Sequence, residues 1–190
     1  MSERAAESTS LALRVLASPP RCGDVRVVCV DGPAGSGKTT LAGELATELG
    51  ARLGTQVPVV HMDDLYEGWS QDLGEGLSAR VDAWLLAPWR SGLSGWHPHY
   101  DWAADRYSSW VEVPLAPAVV IEGCGSAARE IRRFAALVVW IEADADVRLA
   151  RGLARDGEAL AEHWHRWQRS EAAHFEADRT RASADAILTT

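Results

Sequence analysis

Residues 31–40 have the sequence DGPAGSGKTT, which contains the pattern Gly-x-x-x-x-Gly-Lys-Thr of a phosphate-binding loop. An apolar run at 25–30 precedes this segment and a helical pattern at 41–49 follows it, which is the strand–loop–helix context that the motif requires. Glycines let the backbone turn its N–H groups inward around an anion, and the next helix points its positive end there. The predicted nucleotide-binding residues are Gly32, Pro33, Ala34, Gly35, Ser36, Gly37, Lys38, Thr39 and Thr40.

Two side chains of this loop have predicted roles with the nucleotide. Lys38 is expected to reach the β- and γ-phosphates, and the Thr39 hydroxyl is expected to ligate Mg²⁺. The motif therefore predicts binding of a nucleoside triphosphate with Mg²⁺. It does not by itself predict a reaction.

Length and charge narrow the class of protein. The 190 residues fit one domain, and the net charge of −8 argues against nucleic acid or an anionic membrane as the main partner. No apolar run approaches the roughly 20 residues that span a bilayer, and residues 1–10 do not resemble a targeting signal. The three cysteines, Cys22, Cys29 and Cys124, are scattered without metal-binding spacing, which suits a reducing compartment. We therefore expect a cytoplasmic protein.

The hydrophobic pattern predicts the fold class. Apolar strands are expected at 25–30, 57–61, 118–121, 137–141 and 186–188, and helices at about 11–16, 38–49, 77–87, 126–134, 144–155 and 158–176. Continuously apolar strands are buried on both faces, as in a parallel sheet covered by helices. The prediction is one α/β domain with the three-layer P-loop NTPase fold and a five-stranded, mainly parallel sheet with helices on both faces.

Acidic residues follow two of these strands. Asp63 and Asp64 come after the second strand, and Glu122 directly follows the apolar run 118–121. Ligands of such sheets bind at the carboxyl ends of the strands, so these carboxylates should share one edge with the phosphate loop. Glu122 is predicted to belong to the Mg²⁺ shell. Asp63 is the preferred general base, and Asp64 is either its rival or a cap of a turn.

The absence of other motifs favours one class of phosphate-loop protein. Guanine-specific GTPases need Asn-Lys-x-Asp, which does not occur in the sequence, and motor ATPases usually have longer chains. A kinase acting on the hydroxyl of a small molecule remains, because such an enzyme needs mainly positioning, charge stabilisation and a carboxylate that takes the hydroxyl proton. Two alternatives stay open: a kinase for nucleoside monophosphates or other small acids, and a nucleotide-binding regulatory module without turnover.

Five segments in order resemble the uridine kinase family of phosphate-loop kinases, which is related to phosphoribulokinase and pantothenate kinase. They are residues 32–40, Asp63-Asp64-Leu65-Tyr66, Tyr100-Asp101-Trp102, Val120-Ile121-Glu122-Gly123, and the arginine-rich segment from Arg148 to Asp156. The resemblance implies ATP as the phosphate donor, Mg²⁺ as the metal and a nucleoside-like acceptor. It also implies an acceptor-binding insertion at about 65–115 and a short lid at about 148–160.

The resemblance further implies roles for individual residues. Asp63 would be the general base near the metal, Tyr66 and Tyr100 would line the acceptor pocket, and Asp101 would bind a substrate hydroxyl or order its neighbours. The lid arginines Arg151 and Arg155 would close over the phosphates. Asp105 and then Arg106 stand where the family has a histidine that contacts the pyrimidine, so Arg106 is a substrate candidate and nucleoside specificity is open.

Nine tryptophans mark the middle and the end of the chain. Trp69 and Trp102 are candidates for the acceptor pocket or for packing, whereas Trp84 lies in a helical pattern and is predicted to be core. His97-Pro98-His99 is predicted to lie in a loop and to bind no metal. In the last helix, Trp164 and Trp167 are predicted to pack on the sheet or on a partner subunit, which leaves a homodimer open.

Overall fold

The computed structural model describes residues 3–190. Its strands are β1 (Arg26–Asp31), β2 (Val59–His61), β3 (Gly95–Asp101), β4 (Arg106–Val113), β5 (Ala118–Glu122), β6 (Ala135–Glu142) and β7 (Ala186–Thr189). Its α-helices are α1 (Glu3–Ala17), α2 (Lys38–Leu53), α3 (Glu75–Val81), α4 (Ala87–Arg90), α5 (Arg129–Arg132), α6 (Ala145–Asp156) and α7 (Ala161–Asp178). No helix in this part of the chain is long and apolar enough to cross a membrane.

The main sheet has five strands in the order β2-β5-β1-β6-β7, and every neighbouring pair is parallel. The strands that the apolar runs predicted are therefore the strands of this sheet, and the predicted α/β fold class is confirmed. Because the strands are parallel, β1, β2 and β5 end at one edge of the sheet. That edge carries the phosphate loop, His61 and Glu122 respectively.

Helices cover both faces of the sheet. Val28 and Val30 of β1 point into a core shared with α1 and α2, whereas Val27 and Cys29 point into a core shared with α3, α4 and α7. This alternation follows from the period of two along a strand. The result is the three-layer arrangement that the continuous apolar strands indicate.

A two-stranded antiparallel hairpin, β3–β4, was not predicted. The prediction that His97-Pro98-His99 lies in a loop is wrong, because all three residues belong to β3. The pairing is irregular between Pro98 and Tyr100, as is usual where a proline interrupts a ladder. Tyr100 and Asp101 therefore belong to this hairpin and not to the main sheet.

The helix boundaries also differ from the prediction. The helix expected at 77–87 runs from α3 through a π-helical turn, Asp82–Leu86, into α4. Ala87 N–H donates to Asp82 O in this turn, and Pro88, which follows, has no N–H to donate. Helix α5 covers only four of the nine residues predicted at 126–134, and α7 begins after a 3₁₀ turn at Glu158–Leu160.

Candidate active site

The phosphate loop turns tightly between β1 and α2. Gly32 has φ 142°, and a Cβ there would lie 2.0 Å from the carbonyl oxygen of Ile141 on β6, so no larger residue fits. Lys38 opens α2, and its Nζ donates to Gly32 O (2.8 Å) and Pro33 O (2.9 Å). The ammonium group is thus held at the base of the loop before any phosphate is present.

A buried carboxylate supports the start of the loop. Asp31 Oδ1 accepts from Gly32 N–H (2.7 Å) and Gly125 N–H (3.0 Å), and Oδ2 accepts from Ala127 N–H (2.8 Å). Burial raises the pKa of Asp31 to about 6, although the three N–H donors and Lys38 oppose this rise. Asp31 therefore joins the phosphate loop to the turn after β5.

A second buried carboxylate, which the sequence analysis missed, comes from α7. Glu171 is 2% exposed; its Oε2 accepts from Ala34 N–H (2.8 Å) and its Oε1 from Arg148 (2.9 Å). Arg148 also donates to Ala34 O (3.2 Å), and the Cys124 thiol donates to Glu171 Oε2 (3.4 Å). Burial raises the pKa of Glu171, while Ala34 N–H, Lys38 and Arg148 favour its ionised form. The phosphate loop is thus fastened to both α6 and α7.

Thr39 and Glu122 form the side of the site that could hold a metal ion. Thr39 Oγ1 donates to Glu122 Oε1 (3.0 Å), and His61 Nδ1 lies 2.6 Å from the same oxygen. A hydroxyl and a carboxylate at this separation fit Mg²⁺, which prefers oxygen ligands and keeps several waters. Within residues 3–190 no group of three or more His, Cys, Asp or Glu side chains could hold a metal. Phosphate oxygens and water would therefore have to complete the Mg²⁺ shell.

Asp63 lies in the 3₁₀ turn Met62–Asp64, directly after β2. Its side chain is exposed and lines the cleft above the loop, and partial desolvation by the surrounding protein raises its pKa. The negative charge of Glu122 raises this pKa further, while Lys38 and Arg155 lower it. Asp64, the rival base, instead contacts His99 on the hairpin, with Oδ1 2.8 Å from Nδ1 of the ring.

The cleft has a volume of about 700 Å³ and is lined by the phosphate loop, Asp63, Glu122 and five aromatic side chains. The aromatic residues are Tyr66, Trp69, Trp102, Trp164 and Trp167. Trp69 lies at their centre, with ring centroids 5.6 Å from Trp102, 6.1 Å from Trp164 and 6.2 Å from Trp167. Trp164 and Trp167 thus line the cleft as well as pack, which the sequence analysis did not predict. Their helical spacing indicated burial but not which cavity they face.

The polar atoms of two predicted pocket residues form hydrogen bonds within the wall of the cleft. Tyr66 donates its hydroxyl to Cys124 O (2.8 Å), so only its ring is available in the cleft. Trp102 Nε1 donates to the backbone oxygen of Asp63 (3.2 Å). The tip of the hairpin is therefore bonded to the segment that carries the candidate base.

Both predicted lid arginines line the cleft. Arg151 donates to Gly35 O (3.2 Å) and Thr190 Oγ1 (3.0 Å). Arg155 forms an ion pair with Asp156 and lies over the Trp164 ring, 5.8 Å from its centroid. Arg148, in contrast, bonds to Glu171 and Ala34 and is not among the residues that line the cleft.

Three predicted substrate residues lie outside this cleft. Tyr100 donates to Asp105 Oδ1 (2.6 Å) and lines a neighbouring groove on the far side of Trp69. Asp101 Oδ1 accepts from Ala103 N–H and Ala104 N–H (3.0 Å each), so it orders the hairpin turn, which was one of its two expected roles. Arg106 is exposed and pairs in register with Asp101. The order of the motifs in the sequence did not predict the hairpin, which places these three residues outside the cleft.

A protein-family model described as an AAA domain (AAA_18) matches residues 28–174. A possible uridine kinase from Bacillus stearothermophilus is 23% identical, covers 96% of this chain and 98% of its own, and superposes with a TM-score of 0.66. A proposed fructose transport system kinase from Silicibacter sp. TM1040 is 22% identical, with 95% and 98% coverage and a TM-score of 0.69. No curated protein matches the chain by sequence. These similarities show a P-loop kinase-like fold.

Proposed function

Because the chain belongs to the AAA_18 family of AAA domains and has a P-loop kinase-like fold, we propose that it is an ATP- and Mg²⁺-dependent kinase. Its substrate would be the hydroxyl of a small metabolite, most like a nucleoside. One observation carries this proposal: the phosphate loop, the Thr39–Glu122 pair and the Asp63 carboxylate all face a single cleft.

The phosphate loop would bind ATP, the phosphate donor of the reaction. The backbone N–H groups of the loop and Lys38 would bind the phosphates, and Thr39 and Glu122 would hold Mg²⁺. Mg²⁺ would neutralise charge on the β- and γ-phosphates. Asp31 and Glu171 support ATP binding indirectly, because each accepts a hydrogen bond from a backbone N–H of the loop.

Asp63 would take the proton of the attacking hydroxyl. A general base works best when its pKa lies nearer the working pH, and partial desolvation by the surrounding protein and the charge of Glu122 both raise the pKa of Asp63. Its exposure into the cleft leaves room for an acceptor hydroxyl. The hydrogen bond from Trp102 to the backbone of Asp63 would keep the base in place.

Arg151 and Arg155 would stabilise the charge of the transferring phosphoryl group. They lie one turn apart on α6, which is the proposed lid of about 148–160. Arginines in this role contribute about 10³ to 10⁵ in rate in phosphate-loop enzymes. Their present partners are Gly35 O, the exposed Thr190 and the half-buried Asp156, which phosphate oxygens could replace.

The acceptor would be uncharged and would carry a flat ring. In the described chain, the cationic residues lining the cleft are Lys38, Arg151 and Arg155, all of which are needed for the phosphates of ATP. Of the middle-region arginines that a small-acid acceptor would need, Arg80 is paired with Glu67 and Arg90 with Asp82. Trp69 and Trp102, from the proposed acceptor-binding insertion of about 65–115, offer aromatic surface instead.

The test is transfer of labelled γ-phosphate from ATP to a panel of nucleosides, sugars and small acids. For the labelled acceptor, Asp63→Asn should lower the rate at least about 100-fold while ATP affinity stays within about threefold. Asp64→Asn is the matched control, because its carboxylate is paired with His99, and it should keep most activity. Unchanged transfer by Asp63→Asn would remove Asp63 from the mechanism. Tight ATP binding without transfer to any acceptor would favour the regulatory module.

A further inference from the structure

The side chain that contacts the proposed metal carboxylate from the neighbouring strand is His61. Glu122 is the last residue of β5 and is 5% exposed, and His61 is its register partner at the end of β2. Neighbouring strands of a sheet lie about 4.8 Å apart, so the two side chains are held next to each other by backbone pairing. The contact between His61 and Glu122 thus follows from the pairing of β2 with β5.

Both hydrogen bonds of the Glu122 side chain converge on one of its oxygens. His61 Nδ1 lies 2.6 Å from Oε1, and Thr39 Oγ1 donates to the same oxygen at 3.0 Å. In the described chain, Oε2 has no hydrogen-bond partner. Contacts on Oε1 from two sides restrict rotation of the carboxylate, and Glu122 lines the cleft.

We propose that His61 is a positioning residue that fixes the Glu122 carboxylate for the Mg²⁺ shell, together with Thr39. This inference rests on the proposed function, since it takes Mg²⁺-nucleotide as the ligand of the cleft. Hydrogen-bond partners of a metal-binding carboxylate typically change metal affinity by about 10- to 100-fold when they are replaced. His61 would therefore act on Mg²⁺ affinity and not on the chemistry itself.

If His61 served only to stabilise the fold, its replacement would give a different result from loss of Mg²⁺ affinity. The His61 side chain is 42% exposed, so its removal takes little apolar surface out of the core. Loss of the ring should leave the fold and the nucleotide-binding loop intact. His99 provides a matched control, because it makes the same kind of contact, Nδ1 to an aspartate oxygen at 2.8 Å, with Asp64.

The experiment measures binding of a non-hydrolysable ATP analogue by calorimetry, in EDTA and over a series of Mg²⁺ concentrations. His61→Leu should leave the affinity in EDTA within about twofold and raise the Mg²⁺ concentration for half-maximal effect about tenfold or more. His61→Asn, whose amide nitrogen can replace Nδ1, should recover most of this loss. His99→Leu should behave as the wild type.

Two outcomes would overturn the inference. One is a wild-type Mg²⁺ dependence in His61→Leu, and the other is an equal loss of affinity with and without Mg²⁺. Because binding is measured without turnover, the result is separate from the kinase proposal. A protein that binds the Mg²⁺-nucleotide as described but transfers no phosphate would overturn the proposed function and leave the role of His61 standing.

Discussion

Replacing either partner of the ion pair between Arg148 and Glu171 should cost several kcal/mol, because Glu171 is buried, at 2% exposure, and Arg148 is largely covered, at 12%. Removing one partner of such a pair leaves an uncompensated charge in the interior, at a cost of about 3–5 kcal/mol. In Glu171→Gln the amide NH₂ must also face either Arg148 or Ala34 N–H, since each oxygen of the carboxylate accepts from one of them. Arg148→Met and Glu171→Gln should each therefore destabilise the protein by about this amount.

The assay is a double-mutant cycle on the free energy of unfolding, from urea titrations. It is run at pH 8, because burial raises the pKa of Glu171 and the cycle requires the ionised form. The double variant should be more stable than the sum of the single effects predicts, by about 2 kcal/mol. The exposed helix pair Arg52–Glu48 is the control, with an expected coupling of about 0.3–0.5 kcal/mol. A coupling at Arg148–Glu171 no larger than this would refute the reasoning.

Three further changes test packing, hydrogen bonding and titration. Gly152→Ala should destabilise the protein by about 1–3 kcal/mol in urea titrations, because a Cβ would lie 2.3 Å from the buried Trp164 ring. Asp31→Asn should cost about 1–3 kcal/mol, since its amide would oppose one of three N–H donors. Burial lowers the pKa of His174, so the unfolded state binds the proton more readily and stability should fall below about pH 6.5; His174→Gln should flatten this fall.

Matched control variants distinguish these mechanisms from a nonspecific loss of stability. Gly43→Ala lies in α2, where nothing lies within 4 Å of the added Cβ, and should be neutral or stabilising by up to about 1 kcal/mol. Asp24→Asn alters an exposed carboxylate and should leave stability within about 0.5 kcal/mol. Equal losses in Gly152→Ala and Gly43→Ala, or in the two aspartate variants, would contradict the packing and hydrogen-bond arguments. Parallel pH–stability curves for wild type and His174→Gln would contradict the titration argument.

The sequence was sufficient for the fold because its strands are continuously apolar and its loop motif is specific. These features predicted the parallel sheet, and the parallel arrangement placed Asp63 and Glu122 beside the loop. The hairpin could not be predicted in the same way. Pro98 and the neighbouring histidines break the alternation by which a half-exposed strand is recognised, and β3 pairs with no strand of the main sheet.

The missed parts of the site share one physical cause: their partners are distant in the chain. Glu171 lies on α7, in a sequence context typical of a solvent-exposed helix face, and its partner Ala34 is 137 residues away. Cys124 donates to Glu171 and lies 3.7 Å from Lys38 Nζ, which spacing along the chain does not reveal. Local periodicity indicates whether a residue is buried, but not which loop it contacts.

The link between Ala34 and Glu171 has a consequence for synthesis of the protein. The loop motif is synthesised before the carboxylate that accepts the Ala34 N–H, which lies 137 residues later in the chain. Contacts of such long sequence separation form late, after the intervening chain has been ordered. A nascent chain that still lacks α7 should therefore carry a complete loop motif without a supported loop, and nucleotide binding should begin only after α7 has been made.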